Sequence, residues 1–385
     1  MGFLFASNAG SDRSVFNQKG TAMHRSSLSQ RVRRIRQQMQ DHAVDLLLLV
    51  RPSHVTYVTG FMGQDSWAVV TARRTYLLTD SRYTEQAQSE CPTAEIVERM
   101  VTLARTVGTI ADRSRAATAA VDPSITLADW TSVRRHLRVR FKTLPDPVAP
   151  VRAIKGPDEI RCIRTAGRLA RMALAQALPG LQPGSTETAF AGLLEYWLRR
   201  QGTTCAFDTI VAFGSNASRP HHRPCARRLR SNDTVLIDFG ARYRGYCSDI
   251  TRSFVVGRPS PLFLKAFDVV SRAQAASIRV IRPAAALTDV DGAARKVIRE
   301  SGLPVYGHGS GHGIGLDIHE DPFLKPEATG ALQPGHVLTI EPAVYLPGRL
   351  GVRLEDDVLV TAHGCQVLTR RTPHSFCAEE WTKGG

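Results

Sequence analysis

The sequence lacks any long hydrophobic run. Its longest uninterrupted apolar stretch, Leu46–Val50, is the size of a strand and far shorter than the roughly 20 residues that a membrane-spanning helix requires. Cysteine is also sparse, because the chain has only seven, an odd number, and no two of them form a CxxC pair. These absences argue against a membrane protein, a disulfide framework and a thiolate-rich zinc site, and they favour a reduced, cytoplasmic chain.

The N-terminus lacks the basic segment and apolar core of a secretory signal. We expect residues 1–25 to form a disordered tail and residues 379–385 to form a short C-terminal tail. The ordered pattern begins just after Met23, which makes Met23 a second candidate for the first residue beside Met1.

Signatures of nucleotide and nucleic-acid binding are also absent. No GxGxxG follows a first strand and no P-loop pattern occurs, which argues against a nucleotide site. The formal net charge of +15 is compatible with nucleic-acid binding, but the arginines are spread along the chain. The densest group, in residues 31–40, lies on a predicted helix whose other face is apolar, so we interpret it as a solvated helix face and expect no nucleic-acid partner.

Two domains are predicted for the 385 residues, since single hydrophobic cores rarely exceed about 250–300 residues. An apolar stripe at helical spacing begins at Leu28, and strand patterns follow at DLLLLV, YVTGF, WAVVTA and TYLLTD. The segment PVRAIKGPDEI marks a boundary near Ile154. We therefore predict a small α/β domain over residues 26–153 and a larger domain over residues 154–378, in which strand pairs beside helical runs indicate an α+β fold.

Two aspartates follow apolar strand patterns in the second domain. Asp238 ends VLIDFG, and Asp249 lies in GYCSDITRSF. A hairpin turn centred between Tyr243 and Arg244 would set the two carboxylates directly opposite each other, about 4.5–5.5 Å apart. Like charges there would destabilise the pair, whereas a divalent cation between them would remove the repulsion.

Two glutamates occupy similar positions further along the chain. Glu341 follows an apolar run in TIEPAVY, and Glu355 lies in GVRLEDDVLV. Strand alternation would place Arg353, Glu355 and Asp357 on one face. A surface ion pair between Arg353 and Glu355 is the alternative interpretation of this segment.

The segment HGSGHGIGLDIHE supplies imidazoles beside flexible backbone. Its His312 and the four carboxylates make a mixed oxygen and nitrogen ligand set whose charge matches two divalent ions. Such a set suits Mn²⁺, Fe²⁺, Co²⁺ or Zn²⁺, and the glycines allow close approach of the backbone. His308 and His319 would then be free for contact with a substrate and for proton transfer.

The motifs IDFGARYRGYCSDITR, HGSGHGIGLDIHE, TIEPAVY and GVRLEDDV together resemble the pita-bread metallopeptidases. That family includes methionine aminopeptidase, aminopeptidase P, prolidase and the related creatinase. The first domain, with RPSHVTYVTGF and YLLTDSRYTEQA, is similar to the N-terminal α/β domain of aminopeptidase P, prolidase and creatinase. The resemblance implies an α+β pita-bread catalytic domain preceded by a creatinase-like domain.

The resemblance also implies a role for each of the five ligands. Asp238 would bind one ion, Asp249 and Glu355 would bridge both, and His312 and Glu341 would bind the second. Glu341 is in addition the expected general base. The expected metal is two Mn²⁺ ions, with Co²⁺, Zn²⁺ and Fe²⁺ as alternatives.

Further roles are implied for residues around the ligands. His221 matches a proton-shuttling histidine, and the neighbouring His222 is a second candidate for that role. His308 and His319 match residues that contact the scissile carbonyl and the proline of the substrate. Arg353 matches an arginine that orients the bridging glutamate and a neighbouring histidine.

The activity that the resemblance implies is hydrolysis of the bond before a proline at the second position of a peptide, as in bacterial Xaa-Pro aminopeptidase. Prolidase, which cleaves Xaa-Pro dipeptides, is the alternative, and a non-peptidase member of the fold or a basic non-catalytic binding protein is less favoured. We expect proline-containing peptides as substrates and a homodimer as the assembly.

Overall fold

The computed structural model describes residues 25–369. The predictions of terminal tails and of Met23 as a second candidate start concern residues outside this range, apart from Arg25 itself, which already belongs to the first helix. None of the described helices is long and apolar enough to cross a membrane.

The first part of the chain forms a six-stranded mixed sheet with helices around it, in the order β4-β3-β2-β1-β5-β6. Its strands are β1 (Leu46–Leu49), β2 (Trp67–Thr71), β3 (Thr75–Thr79), β4 (Glu95–Glu98), β5 (Thr118–Val121) and β6 (Arg140–Phe141). Its helices are α1 (Arg25–Asp41), α2 (Pro52–Thr59), α3 (Thr84–Glu90), α4 (Leu103–Ser114), α5 (Leu127–His136) and α6 (Ala149–Ala153). The central pairs β3-β2 and β2-β1 are antiparallel, and the outer pairs β4-β3, β1-β5 and β5-β6 are parallel. With the helices between strands, this is the predicted α/β arrangement.

Helix α1 carries the predicted apolar stripe on its buried face, but its arginines are not all solvated. Arg33 and Arg34 are exposed as expected. Arg31 is only 4% exposed, lies 3.5 Å from the carboxylate of Glu159 and packs over the ring of Tyr57. The interpretation of this stretch as a solvated helix face is therefore wrong for Arg31. Its ion pair with Glu159 of α7 (Pro157–Ala177) connects α1 to the second part of the chain.

The segment YVTGF, predicted as a strand, is the end of helix α2. Pro52 begins that helix, and Gly60 ends it with φ of 87°. Proline suits the first helical position because it needs no hydrogen-bond partner there, and glycine adopts positive φ without strain. The helix is buried on nearly all sides, so its sequence has no polar face that would reveal a helical period.

The second part of the chain packs four helices around several antiparallel sheets. The helices are α7 (Pro157–Ala177), α8 (Glu187–Arg200), α9 (Pro261–Val280) and α10 (Leu287–Glu300), with short 3₁₀ turns at Leu178–Gly180 and Gly214–Ser218. The strands are β7 (Thr204–Cys205), β8 (Ile210–Phe213), β9 (Thr234–Phe239), β10 (Ala241–Tyr243), β11 (Tyr246–Cys247), β12 (Ile250–Val255), β13 (Gly311–Gly313), β14 (Glu320–Leu324), β15 (Val337–Ile340), β16 (Ala343–Leu346), β17 (Leu350–Arg353), β18 (Asp356–Val360) and β19 (Cys365–Val367). The sheets run β11-β10-β7, β12-β9-β8, β14-β13-β15-β18-β19 and β16-β17. The α+β prediction is confirmed.

The hairpin between β9 and β12 has a different register from the predicted one. Asp238 pairs with Thr251, not with Asp249. The turn is centred between Arg244 and Gly245, both of which have positive φ, and this shifts the pairing by two residues. A shift of two keeps side chains on the same face, so Asp238 and Asp249 remain on one face of the sheet as diagonal neighbours.

Three long strand patterns of the sequence are interrupted where a carboxylate occurs. Asp249 lies between β11 and β12, Glu341 between β15 and β16, and Glu355 between β17 and β18. At each interruption the chain passes from one sheet to another. The acidic side chains therefore occupy the junctions between sheets, where the backbone N–H groups of Glu341 and Glu355 still donate to Ser310 and Thr251.

A buried ion-pair group connects the two parts of the chain. Arg152, at 3% exposure, donates from Nη2 to Asp317 Oδ2 at 3.0 Å and to Glu320 Oε2 at 2.5 Å, and from Nη1 to Ser53 Oγ at 2.9 Å. Lys155 Nζ lies 2.6 Å from Glu320 Oε1. This group holds α2 and α6 against the segment that leads into β14.

Candidate metal centre

The five predicted ligands converge on one cavity of ≈ 480 Å³. Asp249, His312 and Glu355 come closest, with donor atoms within 4.8 Å of one another. The His312 Nε2 atom lies 3.7 Å from Asp249 Oδ2 and 3.6 Å from Glu341 Oε1. Asp238 lines the same cavity from β9. Strands and strand junctions that are distant in sequence thus deliver all five groups to one place.

The tautomer of His312 directs a lone pair at these carboxylates. Its Nδ1 lies 3.0 Å from the carbonyl oxygen of Gly313, and a carbonyl only accepts, so Nδ1 carries the proton. Burial first of all, and then the nearby His319, lower the pKa of His312 to about 4. The neutral ring therefore presents an Nε2 lone pair to Asp249 and Glu341, an arrangement that requires a cation or a proton between them.

The carboxylates show the same requirement. Burial raises the pKa of Glu355 to about 8, with the charge of Asp238 adding to the rise. Burial and the charge of Glu355 also raise the pKa of Asp249 and that of Glu341 well above their ordinary values. Buried like charges favour protonation or a bound cation, and divalent ions are the counter-charge that this oxygen-rich set selects.

Unpartnered buried oxygen atoms support the same conclusion. Among the described residues, Asp238 Oδ1, Asp249 Oδ1 and Asp357 Oδ1 are buried without a hydrogen-bond donor. A buried polar atom without a partner is costly, and a metal ion at the cluster would satisfy the first two. The residues present therefore fit a divalent metal centre.

Arg353 is buried and organises the cluster through one direct contact and one intermediate. Its Nη2 donates to Asp238 Oδ2 at 2.6 Å. Its Nε donates to Thr251 Oγ1 at 3.0 Å, and that hydroxyl donates to Glu355 Oε2 at 2.6 Å. Arg353 is only 3% exposed, which rules out the alternative interpretation of a surface ion pair between Arg353 and Glu355. It reaches Glu355 through Thr251 and not by direct contact.

Tyr345 links the same arginine to His308. Arg353 Nη1 donates to the Tyr345 hydroxyl at 2.6 Å, and that hydroxyl lies 3.2 Å from His308 Nε2. Because His308 Nδ1 lies 2.7 Å from the carbonyl of Gly309, Nδ1 carries the proton and Nε2 accepts from Tyr345. Burial lowers the pKa of His308 to about 4, which keeps the ring neutral.

The other predicted histidines line the same cavity. The His319 ring packs edge-on against the His312 ring at 4.4 Å, and burial followed by the charge of His221 lowers its pKa. His221 is exposed at the rim. His222 points elsewhere, because its Nε2 lies 2.7 Å from Glu187 Oε2. Of the two candidates, His222 is held by Glu187, whereas His221 is exposed at the rim of the cavity.

Two glycines beside His312 have no room for a side chain. A Cβ at Gly311 would lie 1.9 Å from the carbonyl oxygen of Thr339, and one at Gly313 would lie 2.1 Å from that of Asp321. Backbone from neighbouring strands therefore packs directly against both flanks of His312. This close packing explains the glycine pattern of the sequence.

Several supporting residues were not predicted. Asp357, expected only on the face of Glu355, is fully buried and accepts from the backbone N–H of Asp249 at 3.3 Å. Asp356 pairs with Arg252 at 2.8 Å. The run of three acidic residues in LEDDV was the available signal, because a buried strand rarely contains adjacent carboxylates without partners.

The comparisons with known proteins agree with this geometry. Residues 161–362 match the family model of metallopeptidase family M24, and residues 31–154 match that of the creatinase/prolidase N-terminal domain. The uncharacterized peptidase YqhT of Bacillus subtilis is 35% identical over 330 residues, which cover 85% of this chain and 94% of that protein.

Two solved structures superpose on most of the chain. An Xaa-Pro dipeptidase from Bacillus anthracis superposes with a TM-score of 0.86 at 31% identity, over 89% of this chain and 98% of that chain. An X-Pro aminopeptidase from Thermotoga maritima superposes with a TM-score of 0.83, also at 31% identity, over 89% of this chain and 99% of that chain.

Proposed function

The chain belongs to metallopeptidase family M24, a family that uses divalent metal ions, and from this premise we propose that it is an Xaa-Pro aminopeptidase. The proposed reaction releases the first residue of a peptide whose second residue is proline. The observation that carries the proposal is the convergence of Asp249, His312 and Glu355 within 4.8 Å in a cavity that also contains Asp238 and Glu341.

The proposed ligands are Asp238, Asp249, His312, Glu341 and Glu355, holding two Mn²⁺ ions. Bound divalent ions supply Lewis-acid activation of water at neutral pH. The chain contributes the orientation of the ligands, since Thr251 fixes Glu355 by a 2.6 Å hydrogen bond and the Gly313 carbonyl fixes the tautomer of His312.

The proposed proton-transfer groups are a carboxylate of the cluster and a histidine at the rim of the cavity. Glu341, which lines the cavity and lies 3.6 Å from His312 Nε2, is the proposed general base. The nitrogen of a proline residue carries no hydrogen in a peptide, so it must gain a proton when the bond breaks. His221, exposed at the rim of the cavity, is the proposed route for that proton.

The proposed contacts to the substrate come from His308 and His319. Both rings line the cavity, and both have pKa values lowered by burial, so they act as neutral hydrogen-bonding groups near the scissile bond. Arg353 is a positioning residue in this scheme, because it contacts the ligand Asp238 directly and reaches Glu355 through Thr251 and His308 through Tyr345.

Preference for longer peptides is supported by the charges around the cavity. Its lining cations among the described residues are Arg223, Lys325 and Arg353. Arg353 is held by Asp238 and Tyr345, and the other two are exposed. A dipeptidase must grip the free carboxylate of its proline, and here only solvated side chains are available for that, whereas a longer peptide needs no such contact. Dipeptidase activity is the second candidate, and its support is that Arg223 and Lys325 do lie at the rim.

The test compares hydrolysis of Xaa-Pro-Yaa peptides with hydrolysis of Xaa-Pro dipeptides by the full chain loaded with Mn²⁺. We expect a higher kcat/KM for the longer peptides and loss of all cleavage with chelator. Co²⁺, Zn²⁺ and Fe²⁺ in place of Mn²⁺ identify the preferred ion. Cleavage confined to dipeptides would refute the aminopeptidase assignment, and no cleavage with any ion would refute the peptidase proposal.

A variant pair separates the two specificities. If the enzyme does not use the Lys325 charge to recognise the end of the peptide, Lys325→Gln should leave kcat/KM on Xaa-Pro-Yaa unchanged. Lys296→Gln on α10 is the matched surface control. A rise in KM for dipeptides alone, in Lys325→Gln but not in the control, would support the dipeptidase candidate. The predicted homodimer remains a proposal that light scattering of the purified chain would test.

A further inference from the structure

A second group of metal-binding side chains lies outside the catalytic cluster. The segment of residues 219–228 leads from the 3₁₀ turn towards β9 and packs against the start of helix α8. Glu187, the first residue of α8, is fully buried, His222 is 7% exposed, and Cys225 reaches solvent. The carboxylate, imidazole and thiol donor atoms of these residues lie within 4.8 Å of one another.

One oxygen of Glu187 is fixed by the fold. Its Oε1 accepts from the backbone N–H of Phe213 at 2.8 Å and from Asn216 Nδ2 at 2.9 Å. These two donors orient the carboxylate from behind, as the outer partners of metal ligands do. The other oxygen is thereby aimed at His222 and Cys225.

The second carboxylate oxygen, Oε2, faces the His222 imidazole and the Cys225 thiol, each of which can lose a proton and bind a metal ion. Glu187 Oε2 lies 2.7 Å from His222 Nε2 and accepts from the Cys225 thiol at 3.1 Å. It also accepts from the Cys225 backbone N–H at 3.1 Å. Burial alone would raise the pKa of Glu187, but hydrogen bonds, that of His222 foremost, outweigh burial and lower it. The second oxygen is therefore directed at both the imidazole and the thiol.

We propose that Glu187, His222 and Cys225 form a second metal site that binds Zn²⁺. One oxygen, one imidazole nitrogen and one thiolate are ligands that zinc commonly takes, and three protein ligands leave a fourth position for water. That position is accessible, because His222 and Cys225 line a surface cavity of ≈ 610 Å³.

The sulfur ligand separates this site from the catalytic cluster. The five proposed catalytic ligands contain no sulfur, and such oxygen-rich sets suit Mn²⁺, whereas thiolate favours zinc. We therefore expect the catalytic cluster to prefer Mn²⁺ and the second site to prefer Zn²⁺.

Charge and protons balance at the site. Binding of one Zn²⁺ releases the Cys225 thiol proton to solvent and moves the His222 proton from Nε2 to Nδ1 when the ring is neutral. Glu187 and the thiolate then carry two negative charges that match the ion. Because a proton is released, affinity falls as the pH is lowered.

The consequence for the active site follows from the sequence. His221 precedes His222 directly. Both residues line the catalytic cavity, and Nε2 of His222 lies beside Glu187. Zinc at the second site would fix the backbone from which His221 projects by tying it to α8. The site is thus placed to rigidify the rim of the catalytic cavity, and it does not depend on the proposed peptidase specificity.

Cobalt substitution tests the site, because a thiolate bound to Co²⁺ produces a charge-transfer absorption in the near ultraviolet that oxygen and nitrogen ligands do not. The full chain, stripped of metal, supplied with Mn²⁺ and titrated with Co²⁺, should develop this absorption, and Zn²⁺ should abolish it. Cys225→Ser should lack it. Cys365→Ser, a half-buried cysteine on β19, should keep it, and so should Asp249→Asn.

The outcomes separate this proposal from the proposed function. Absorption that is missing from the wild-type chain, or that persists in Cys225→Ser, would overturn the second site whatever the peptidase assay shows. If Cys225→Ser does not fold, X-ray absorption of the wild-type chain loaded with Mn²⁺ and one Zn²⁺ decides. One sulfur neighbour at about 2.3 Å from zinc supports the site, and a first shell of oxygen and nitrogen alone overturns it.

Discussion

The buried ion-pair group around Arg152 gives a prediction whose size can be worked out from the structure. Arg152→Met keeps most of the side-chain volume but removes the donors to Asp317 and Glu320, which lie 3.0 Å and 2.5 Å from Nη2. Breaking a buried pair costs roughly 3–5 kcal/mol, because the remaining charge stays buried without a partner. Lys155 still pairs with Glu320, and Asp317, whose side chain is 33% exposed, keeps its hydrogen bond from Ser53, so we expect a loss of no more than about 3 kcal/mol.

The matched control is an exposed pair in the first domain. Arg74 lies 2.6 Å from Glu95, but their side chains are 64% and 47% exposed. Arg74→Met should cost less than about 1 kcal/mol, since water screens such pairs. Arg152→Lys keeps the charge and loses the two-pronged geometry, so it should fall between the two.

Urea unfolding followed by tryptophan fluorescence and circular dichroism measures these losses. Two probes are needed because a two-domain chain need not unfold in one step. The Arg152→Met chain should also show lower kcat/KM on proline peptides, because Glu320 directly follows His319. If Arg152→Met costs no more than Arg74→Met, the claim that this group holds the two parts of the chain together is refuted.

Three further predictions concern the active site and pH. Asp249→Asn should lower kcat/KM by more than the roughly 10–100-fold typical of outer-shell changes, and metal analysis should show a lower content per chain. Tyr345→Phe removes the hydroxyl between Arg353 and His308 and should lower kcat about 10-fold, the equivalent of one hydrogen bond, with little change in KM. His336 has a pKa lowered by burial to about 4, so its neutral form stabilises the fold fully above the unfolded value near 6.5, and this contribution should be lost as the pH falls from 6.5 towards 4. Urea midpoints across that window should therefore decline less steeply in His336→Gln.

Each of these predictions has a result that contradicts it. Full metal content in Asp249→Asn would remove that residue from the ligand set. An unchanged kcat in Tyr345→Phe would show that the hydroxyl positions nothing. Parallel pH profiles for His336→Gln and the wild-type chain would mean that other groups carry the acid sensitivity, since these groups are common to both chains.

The positions of the site residues were predictable because charge within an apolar run has few explanations. Asp238 lies near the end of the buried strand β9 and Glu341 directly follows the buried strand β15, and the cost of burying a carboxylate points to a compensating ion. The register of the hairpin was not predictable in the same way. Arg244 adopts a positive φ, which a residue with a side chain seldom does, so the sequence favoured a turn centred one residue too early.

The remaining errors arise where tertiary packing decides local structure. The segment YVTGF has strand-forming residues, yet the contacts that bury α2 select a helix. Glu187 and His222 are 35 residues apart and come into contact only in the folded chain, so no local sequence pattern predicts their interaction. Arg31 likewise shows its role only when Glu159 is brought beside it.

The backbone that presses on both sides of His312 has a thermodynamic consequence. The His312 ring between these glycines is buried and held by the Gly313 carbonyl, so it has already lost torsional freedom when the chain folds. Capturing an ion therefore costs it little additional entropy. Binding of the metal ions is then reversible and does not require the chain to fold. The chain should keep its circular dichroism spectrum when chelator strips its ions, and it should recover activity when they are returned.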